Sequence, residues 1–119
     1  MKPRREYVDY VQDMLGAVDR ARRFVAGMDY PAFLADEKTS YAVVRALEII
    51  GEASKKVPKS IREKHPELPW RLMAGIRDHL IHDYFGVDLE VVWKTVQEDL
   101  PAVQAQLERM LSEGGGGTD

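Results

Sequence analysis

The sequence predicts an all-α fold, an antiparallel bundle of four to five helices. Apolar residues recur every three to four positions over long stretches, which is the period of a helix that packs on one side. Proline and glycine separate these stretches, and no segment alternates apolar and polar residues as a half-buried strand does. The 119 residues are expected to form one domain, residues 1–112, followed by a flexible glycine-rich tail, residues 113–119.

The first helix is predicted to extend from about Pro3 to Met28. Its apolar positions fall three or four residues apart, with charged residues between them. They are Tyr7, Val11, Met14, Leu15, Val18, Ala21, Val25 and Met28. Tyr30 and Pro31 should interrupt the helical pattern, and residues 32–34 should form a short helical turn that closes one end of the core.

The second long helix is expected over Asp36–Lys56. Lys55 and Lys56 suit the negative end of the helix dipole, and Pro58 follows as a stop. The apolar stripe of this helix consists of Val43, Ala46, Leu47, Ile50, Ala53 and Val57. A short helix over residues 59–64 is expected next, before a loop that contains two prolines.

The third main helix is predicted over Pro69–Tyr84, with Gly86 as its C-terminal cap. Asp88 is the expected N-cap of a fourth helix. The apolar residues of these two helices are Trp70, Met73, Ile76 and Leu80 in the third, and Leu89, Val92, Val96, Leu100, Val103, Leu107 and Met110 in the fourth. Pro101 should kink or break the fourth helix, because its ring clashes with the carbonyl group four residues earlier.

The composition narrows the classes of function. The chain has no cysteine, which excludes disulfides and thiolate metal sites. It has no apolar run of the length that spans a membrane and no apolar leader segment, so a cytoplasmic protein without a membrane partner is expected. A net charge of −3 argues against avid nonspecific binding of nucleic acid, although a catalyst needs only a local positive site. The charge would also suit a protein that pairs with another protein.

The segment that ends the third helix carries the strongest functional signal, an Arg-x4-His-x-Tyr pattern formed by Arg77, His82 and Tyr84. A guanidinium can hold a phosphate through two hydrogen bonds, and an imidazole can exchange protons near neutral pH. Together they could cleave a phosphodiester without a metal. Positions five apart lie roughly 140° apart on an ideal helix, so Arg77 and His82 meet only if the helix loosens before Gly86 or a two-fold dimer joins two copies. Alternatively, all three residues have structural roles.

The pattern and its flanks resemble a known family. Residues 75–88 (GIRDHLIHDYFGVD) are similar to the signature of the HEPN superfamily, specifically of the HepT toxins, which are encoded beside a minimal nucleotidyltransferase antitoxin, MntA. Residues 45–53 (RALEIIGEA) resemble that family's second-helix pattern, and residues 68–70 (LPW) resemble the start of its motif helix. The resemblance extends over nearly the whole chain, to about Leu111.

The resemblance implies a homodimer whose two motifs line a shared cleft and which acts as a metal-independent endoribonuclease toxin. Arg77 would then bind the scissile phosphate and His82 would act as general base or acid, giving a 2′,3′-cyclic phosphate and a 5′-hydroxyl. Tyr84 matches the tyrosine that the partner nucleotidyltransferase modifies with AMP, which would neutralise the toxin. No cofactor and no metal are implied. The substrate would be RNA, with tRNA as one candidate.

Three acidic residues are candidates to support the site. Asp78 departs from the broader superfamily, where Asn often follows the arginine, and its carboxylate could neutralise Arg77 or orient His82. Glu48 and Glu52 lie one turn apart on the second helix, where they could face the cleft and tune His82 or could equally be solvated. Asp78 and Glu52 are therefore the predicted supporting residues.

Several patterns have ordinary explanations as well. His79, His82 and Asp83 could suggest a metal site, but their directions diverge on a helix and no metal is predicted. Trp70 and Trp93 are expected in the core or in a dimer interface. A basic run could follow an RNA backbone or could simply be surface. It consists of Lys55, Lys56, Lys59, Arg62 and Lys64.

Two other functions remain open at this point. The chain could be a non-catalytic module that docks a nucleotidyltransferase and presents a nucleotide or substrate to it, in which case Arg77 and His82 would only hold phosphate. It could also be a purely structural helical dimer. Substitution of His82 separates these possibilities, because only a catalytic role requires that RNA cleavage be abolished.

Overall fold

Helices make up the fold, as predicted. The computed structural model describes residues 6–80 and 86–116, apart from the side chains of Arg77 and His79. In this part of the chain the helices are α1 (Tyr7–Phe24), α2 (Tyr30–Ala35), α3 (Glu37–Lys56), α4 (Lys59–Lys64), α5 (Trp70–Ala74), α6 (Ile76–Leu80), α7 (Leu89–Lys94) and α8 (Leu100–Gly116), with a π-helical turn, Thr95–Asp99, between α7 and α8. No helix among the described residues is long and apolar enough to cross a membrane.

Three long helices, α1, α3 and α8, form the centre of the bundle. Tyr10 near the start of α1 shares a surface groove with Lys56 at the end of α3, whereas Phe24 at the end of α1 shares another with Ala42. The two helices are therefore antiparallel. Helix α8 is antiparallel to α1 in the same way, because Arg22 near the end of α1 donates a hydrogen bond to a residue in the first turns of α8, Gln104.

The apolar stripes predicted from the sequence form this core. Each central helix buries one stripe and leaves its charged face in solvent, which is the arrangement expected of amphipathic helices. The buried residues are Val11, Met14, Ala17, Val18 and Ala21 from α1, Val43, Ala46, Leu47, Ile50 and Ala53 from α3, and Val103, Leu107 and Met110 from α8. Val92, Val96 and Leu100 extend the stripe of α8 back through the π-helical turn into α7.

Aspartate side chains define the start of three helices. The Asp29 carboxylate accepts a hydrogen bond from the Ala32 N–H at 2.9 Å, and that of Asp36 accepts one from the Thr39 N–H at 3.0 Å. Asp88 accepts the N–H of Glu90 at 3.1 Å, which confirms it as the N-cap of α7. Each cap satisfies a backbone donor that the first turn of a helix leaves unpaired.

The short helix α2 closes one end of the bundle. Phe33 is fully buried, and its ring centroid lies 5.2 Å from that of Trp93 on α7. Tyr30 packs on the same tryptophan at 6.0 Å. Trp93 is therefore an anchor at the edge of the core, and the expected helical turn at residues 32–34 is confirmed. The prediction that Tyr30 and Pro31 interrupt the helix was wrong, because both belong to α2 and proline suits the first turn of a helix.

The first helix is shorter than predicted. It ends at Phe24 instead of Met28, because the chain turns at Gly27, whose φ of +81° lies in the left-handed region that glycine adopts without strain. It begins at Tyr7, with Glu6 and Asp9 forming a capping box in which the Glu6 N–H donates to Asp9 at 3.0 Å.

The fourth predicted helix contains a π-helical turn just before Pro101, at the place where a kink or break was predicted. The proline ring would clash with the carbonyl group of Gln97 in a regular α-helix. Residues 95–99 instead form the π-helical turn, in which the N–H of Leu100 donates to the carbonyl group of Thr95, five residues earlier. The wider turn keeps one continuous helical path through α7 and α8.

The last helix extends further than the predicted domain. Helix α8 continues to Gly116, past the expected domain end at residue 112 and into the glycine run. The flexibility expected of the tail stays a prediction, since residues 117–119 lie outside the described part of the chain.

Candidate functional site

The loop before the helix that is expected to carry the motif is held in place by hydrogen bonds and by one buried side chain. Leu68 is buried, and the side chain of Trp70 donates a hydrogen bond from Nε1 to the carbonyl group of His65 at 2.9 Å. The backbone N–H of Trp70 donates to the carbonyl group of Leu68, also at 2.9 Å. These contacts fix the chain just before α5, so Trp70 has a structural role, as expected.

The predicted helix over Pro69–Tyr84 is interrupted in the described residues. It consists of α5 and α6, separated at Gly75, and residues 81–85 are not described. The N–H of Gly75 still bonds to the carbonyl group of Arg71 at 3.0 Å, whereas the N–H of Asp78 bonds to that of Gly75, only three residues earlier, at 3.0 Å. The backbone is thus tightened at Gly75, which a residue of low helix propensity favours.

Helix α6 packs directly on α3 at Gly51. A Cβ atom at Gly51 would lie 2.8 Å from Cγ2 of Ile76 and 3.1 Å from the carbonyl oxygen of Met73, closer than such atoms can approach without a shift. Met73, Ile76 and Leu80 are all buried. The buried face of α5 and α6 therefore holds the first part of the motif segment firmly against the second long helix.

The structure describes only part of the predicted catalytic set. The backbone of Arg77 belongs to α6, but its side chain lies outside the described part of the structure, as do His82 and Tyr84 entirely. Asp78 is described and is exposed. Whether Arg77 and His82 come together, within one chain or across a dimer, stays a prediction.

Glu52 lines a groove next to the motif segment. The groove has a volume of about 250 Å³ and is lined by Arg45, Glu48, Gly51, Glu52 and Lys55 of α3 and by Ala74 of α5. Glu52 is exposed and Glu48 is half-buried, with its carboxylate 3.6 Å from the guanidinium of Arg45. Ala74 lies one turn before Arg77 in the chain. Glu52 therefore lies near α5, the helix that leads into the motif segment, and its predicted influence on His82 stays a prediction.

The groove carries two acidic and two basic side chains. Glu48 and Glu52 lie one turn apart on α3, and Arg45 and Lys55 flank them on the same helix. Such a balanced surface can orient a polar ligand but does not by itself attract an anion. Of the two options that the sequence left open for the glutamates, exposure of Glu52 agrees with solvation, and its position in the groove agrees with a place near the cleft.

Metal-ligating side chains do not cluster in the described part of the chain: no group of three His, Asp or Glu residues there is arranged to hold an ion. His79, His82 and Asp83 fall outside that statement, because their side chains are not described. The expectation that no metal is bound therefore rests on the sequence argument.

Comparison with known proteins decides the family. The sequence model of the family described as "Ribonuclease HepT-like" matches residues 14–110, from the first helix through the last. The chain belongs to the HepT-like family. Among its relatives, the "Probable ribonuclease HepT" of Thermococcus cleftensis is 49% identical over 107 residues, which cover 90% of this chain and 97% of the relative.

Further relatives agree with this membership. A protein of Methanocaldococcus jannaschii named "Putative RNase" is 42% identical over 111 residues, covering 93% of this chain and 96% of the relative. Another "Putative RNase", from Caldanaerobacter subterraneus, is 40% identical over 114 residues, covering 95% of this chain and 98% of the relative. Among solved structures, none matches this chain at a significant level. The HepT-like resemblance predicted from residues 75–88 is thus confirmed for the chain as a whole.

One positioning residue was missed by the sequence reasoning. Gly51 was noted only as part of a resembling segment, and its contact with Ile76 was not predicted. The signal was present, because glycine in the interior of a helix costs about 1 kcal/mol relative to alanine and therefore often marks a close approach of two helices.

Proposed function

We propose that this member of the HepT-like family is an endoribonuclease that uses Arg77 and His82 as its catalytic residues. Membership of the HepT-like family is the main support for this proposal. The matched residues 14–110 include both positions, and the description of the family names a ribonuclease. The names of the relatives, which refer to ribonuclease or RNase, support it. The packing of Met73 and Ile76 adds a physical reason, since buried anchors next to Arg77 would give a catalytic group a defined position.

The proposed reaction needs no metal for its balance of atoms and charge. The ribose 2′-oxygen forms a bond to the adjacent phosphorus while the bond from phosphorus to the 5′-oxygen of the next nucleotide breaks. His82 takes the proton of the 2′-hydroxyl, and the leaving 5′-oxygen gains a proton from a second general acid. In a homodimer with a shared cleft, the other copy of His82 would be that acid. Arg77 stabilises the additional negative charge on the phosphorane oxygens.

Glu52 is proposed to support this chemistry, and Asp78 is proposed to modulate it through its charge, either by partly neutralising Arg77 or by orienting His82. Glu52 lines the groove beside α5, from which a carboxylate can hold an imidazole in a productive orientation. Asp78 is exposed and follows Arg77 directly in the chain, so its charge would act on an RNA phosphate held by Arg77. Neither residue would take a proton from the substrate.

We propose that this chain is the toxin of a toxin–antitoxin pair that resembles type VII, and that the antitoxin controls its ribonuclease activity. A cognate MntA-like nucleotidyltransferase would transfer AMP to the hydroxyl group of Tyr84, two residues after His82. The new phosphate would place a negative charge beside the site and would repel the RNA backbone. Mass spectrometry of the chain co-expressed with an MntA-like nucleotidyltransferase tests this step: an added AMP on the peptide that contains Tyr84 is expected, and a Tyr84→Phe variant should not acquire it.

The central experiment combines growth and cleavage. We expect induced expression of the wild-type chain to arrest growth, and the purified chain to cleave RNA in the presence of EDTA to products with 2′,3′-cyclic phosphate ends. His82→Ala and Arg77→Ala should lose both effects by a factor of about 100 or more. Arg109→Ala is the matched control for Arg77→Ala, because Arg109 is exposed on α8, outside both the motif segment and the groove beside it.

The same experiment separates the rival function. If the wild type binds RNA or nucleotide without cleaving it, and if His82→Ala only weakens that binding, the chain is a binding module for a nucleotidyltransferase. Light scattering of the purified chain adds the test of assembly: a mass of two chains is expected, and a monomer that retains full cleavage activity would contradict the shared cleft.

A further inference from the structure

The distribution of charge along the chain is strongly uneven. Residues 55–71 contain six basic residues and two acidic ones, a formal net charge of +4, whereas the whole chain carries −3. The remainder of the chain therefore carries −7. The six basic residues, which we call the α4 surface, are Lys55, Lys56, Lys59, Arg62, Lys64 and Arg71. A polyanion that approaches this protein meets attraction over the α4 surface and repulsion over much of the rest.

The α4 surface is open to solvent. None of the residues of α4 is buried, and Lys55, Lys56 and Arg71 on the flanking helices are exposed. The guanidinium of Arg62 donates from Nε to the carbonyl group of Val57 at 3.2 Å, which holds α4 against the end of α3. The cations are thus carried on an ordered segment, and all of them except Arg62 are exposed.

The acidic residues within the segment compensate little of its charge. Glu63 lies 4.0 Å from the ammonium group of Lys59, with both side chains more than 60% exposed, so the pair is loose and screened by solvent. Glu67 lies 3.5 Å from Nδ1 of His65. Competing anions can therefore displace the Lys59 ammonium group from its partner without breaking any buried contact.

The α4 surface begins and ends beside the segment that carries Arg77. Lys55 lines the groove of about 250 Å³ together with Ala74 of α5. Arg71 lies within α5, one helix before α6. The loop between them is tied back onto α5 by the hydrogen bond from Trp70 to His65. The two ends of the α4 surface therefore lie beside α5, the helix that leads into the motif segment, with Lys55 in the charge-balanced groove and Arg71 exposed on α5 itself.

We infer that the α4 surface binds the phosphate backbone of single-stranded RNA and guides it toward the motif. This inference rests on the proposed endoribonuclease function and adds the path of the substrate outside the cleft. Contacts between lysine or arginine and phosphate predict binding that depends on the phosphate backbone more than on base identity, with a strong dependence on salt. An acidic protein segment would be attracted by the same charges, but the phosphodiester chemistry expected next to this surface favours RNA.

The test compares two triple variants that change the charge equally. Lys59→Gln/Lys64→Gln/Arg71→Gln neutralises half of the α4 surface, whereas Lys38→Gln/Lys94→Gln/Arg109→Gln removes three exposed cations elsewhere. The two sets are matched in detail, because Lys94 pairs with Glu90 one turn away at 3.5 Å, as Lys59 pairs with Glu63. The probe is a short fluorescent oligoribonucleotide of mixed sequence, fully 2′-O-methylated so that it cannot be cleaved.

We expect the α4 triple variant to bind this probe about tenfold or more weakly than the wild type at low salt. The slope of log affinity against log salt concentration should become shallower by about 2, since each phosphate contact on a single strand contributes about 0.7. The control triple variant should keep the wild-type slope. Thermal unfolding monitored by circular dichroism verifies that both variants are folded.

Several results would overturn the inference. The inference fails if both triple variants lose affinity for the RNA probe equally, or if the α4 triple variant binds the probe as tightly as the wild type does. It also fails if RNA binding by the wild type does not depend on salt. Unchanged RNA binding with lost binding to polyglutamate would assign the surface to an acidic protein. Cleavage of unmodified RNA is measured separately: if the wild type does not cleave but the binding difference persists, the catalytic proposal fails and the RNA surface stands. If the wild type cleaves RNA but the two triple variants bind the probe equally well, the inferred RNA surface fails and the catalytic proposal stands.

Discussion

Gly51 of α3 and Ile76 of α6 approach so closely that no side chain fits between them. A Cβ atom at Gly51 would lie 2.8 Å from Cγ2 of Ile76. It would also lie 3.1 Å from the carbonyl oxygen of Met73, a backbone atom that cannot rotate out of the way. The position of the motif segment relative to the central helices therefore depends on the absence of a side chain at residue 51.

We expect Gly51→Ala to destabilise the protein by about 1–3 kcal/mol, the usual cost of forcing an extra carbon into a packed core. The loss occurs although alanine is favoured over glycine in a helix by about 1 kcal/mol. Urea unfolding measures the free energy of unfolding. Because the clash pushes on α6, RNA cleavage by the folded fraction should also fall.

Gly16 provides the matched control on α1. A Cβ atom there would meet only Nη1 of Arg20, the tip of a flexible side chain, at 3.4 Å. Gly16→Ala should therefore stabilise the protein by about 0.5–1 kcal/mol through helix propensity alone. Equal effects of the two substitutions, in either direction, would show that the contact between Gly51 and Ile76 is unimportant.

The local chemistry of the sequence was sufficient to predict most of the bundle. Helical periodicity identified the buried stripes. Asp88 was predicted to be an N-cap because an aspartate just before an apolar helix commonly accepts a hydrogen bond from a backbone N–H of the first turn. Pro101 located the change in helix geometry, since a proline ring in the interior of a helix excludes a regular α-helical turn before it. These features depend on residues near each other in the chain.

Features that depend on distant residues were harder to predict. The break at Gly75 was missed, because a single glycine within an apolar stripe is often tolerated in a helix. The groove that contains Glu52 depends on how α3 crosses α5, which no local pattern reports. The catalytic geometry of Arg77 and His82 belongs to the same category, since it requires either a loosened helix end or a second chain.

The cap of α3 should make stability depend on pH in the acidic range. The backbone N–H of Thr39, which donates to Asp36, holds the pKa of this carboxyl below its usual range, and the Thr39 hydroxyl and Lys38 act in the same direction. A carboxyl with a lowered pKa in the folded state stabilises the protein above its ordinary pKa, and this contribution is lost as the pH falls through the lowered value.

We therefore expect Asp36→Ala to unfold at a lower urea concentration than the wild type near pH 7, and the difference between the two to shrink toward about pH 3. Asp36→Asn is the control, because its amide oxygen can still accept the Thr39 N–H but cannot titrate. A difference between wild type and Asp36→Ala that stays constant with pH would contradict the role of the charge.

Asp99 in the π-helical turn should act in the opposite direction. Burial raises the pKa of its carboxyl, and the neighbouring Glu98 raises it further. A carboxyl with a raised pKa contributes its stability below the ordinary range, and the contribution is lost as the pH rises through the raised value. Asp99→Asn should thus stabilise the protein near neutral pH and have little effect in acid.

Urea midpoints of Asp99→Asn at about pH 7 and about pH 3 provide the measurement. Glu98→Gln is a useful comparison, since Glu98 is exposed in the same turn and its removal relieves only the smaller of the two causes. Glu98→Gln should therefore stabilise the protein near neutral pH less than Asp99→Asn does. If Asp99→Asn instead destabilises the protein more at neutral pH than in acid, the carboxylate forms a favourable interaction that outweighs its burial.

Asp78 offers a test of how charge near Arg77 limits the proposed activity. Its side chain is exposed, so the carboxylate should repel an approaching phosphate mainly through solvent. We expect Asp78→Asn to raise kcat/KM for RNA cleavage severalfold at low salt, and the gain to disappear as the Debye length shortens to about 3 Å near 1 M salt. Glu108→Gln, exposed on α8, controls for the change in net charge. A loss of activity in Asp78→Asn at every salt concentration would show instead that the carboxylate orients His82, which follows it four residues later in the chain.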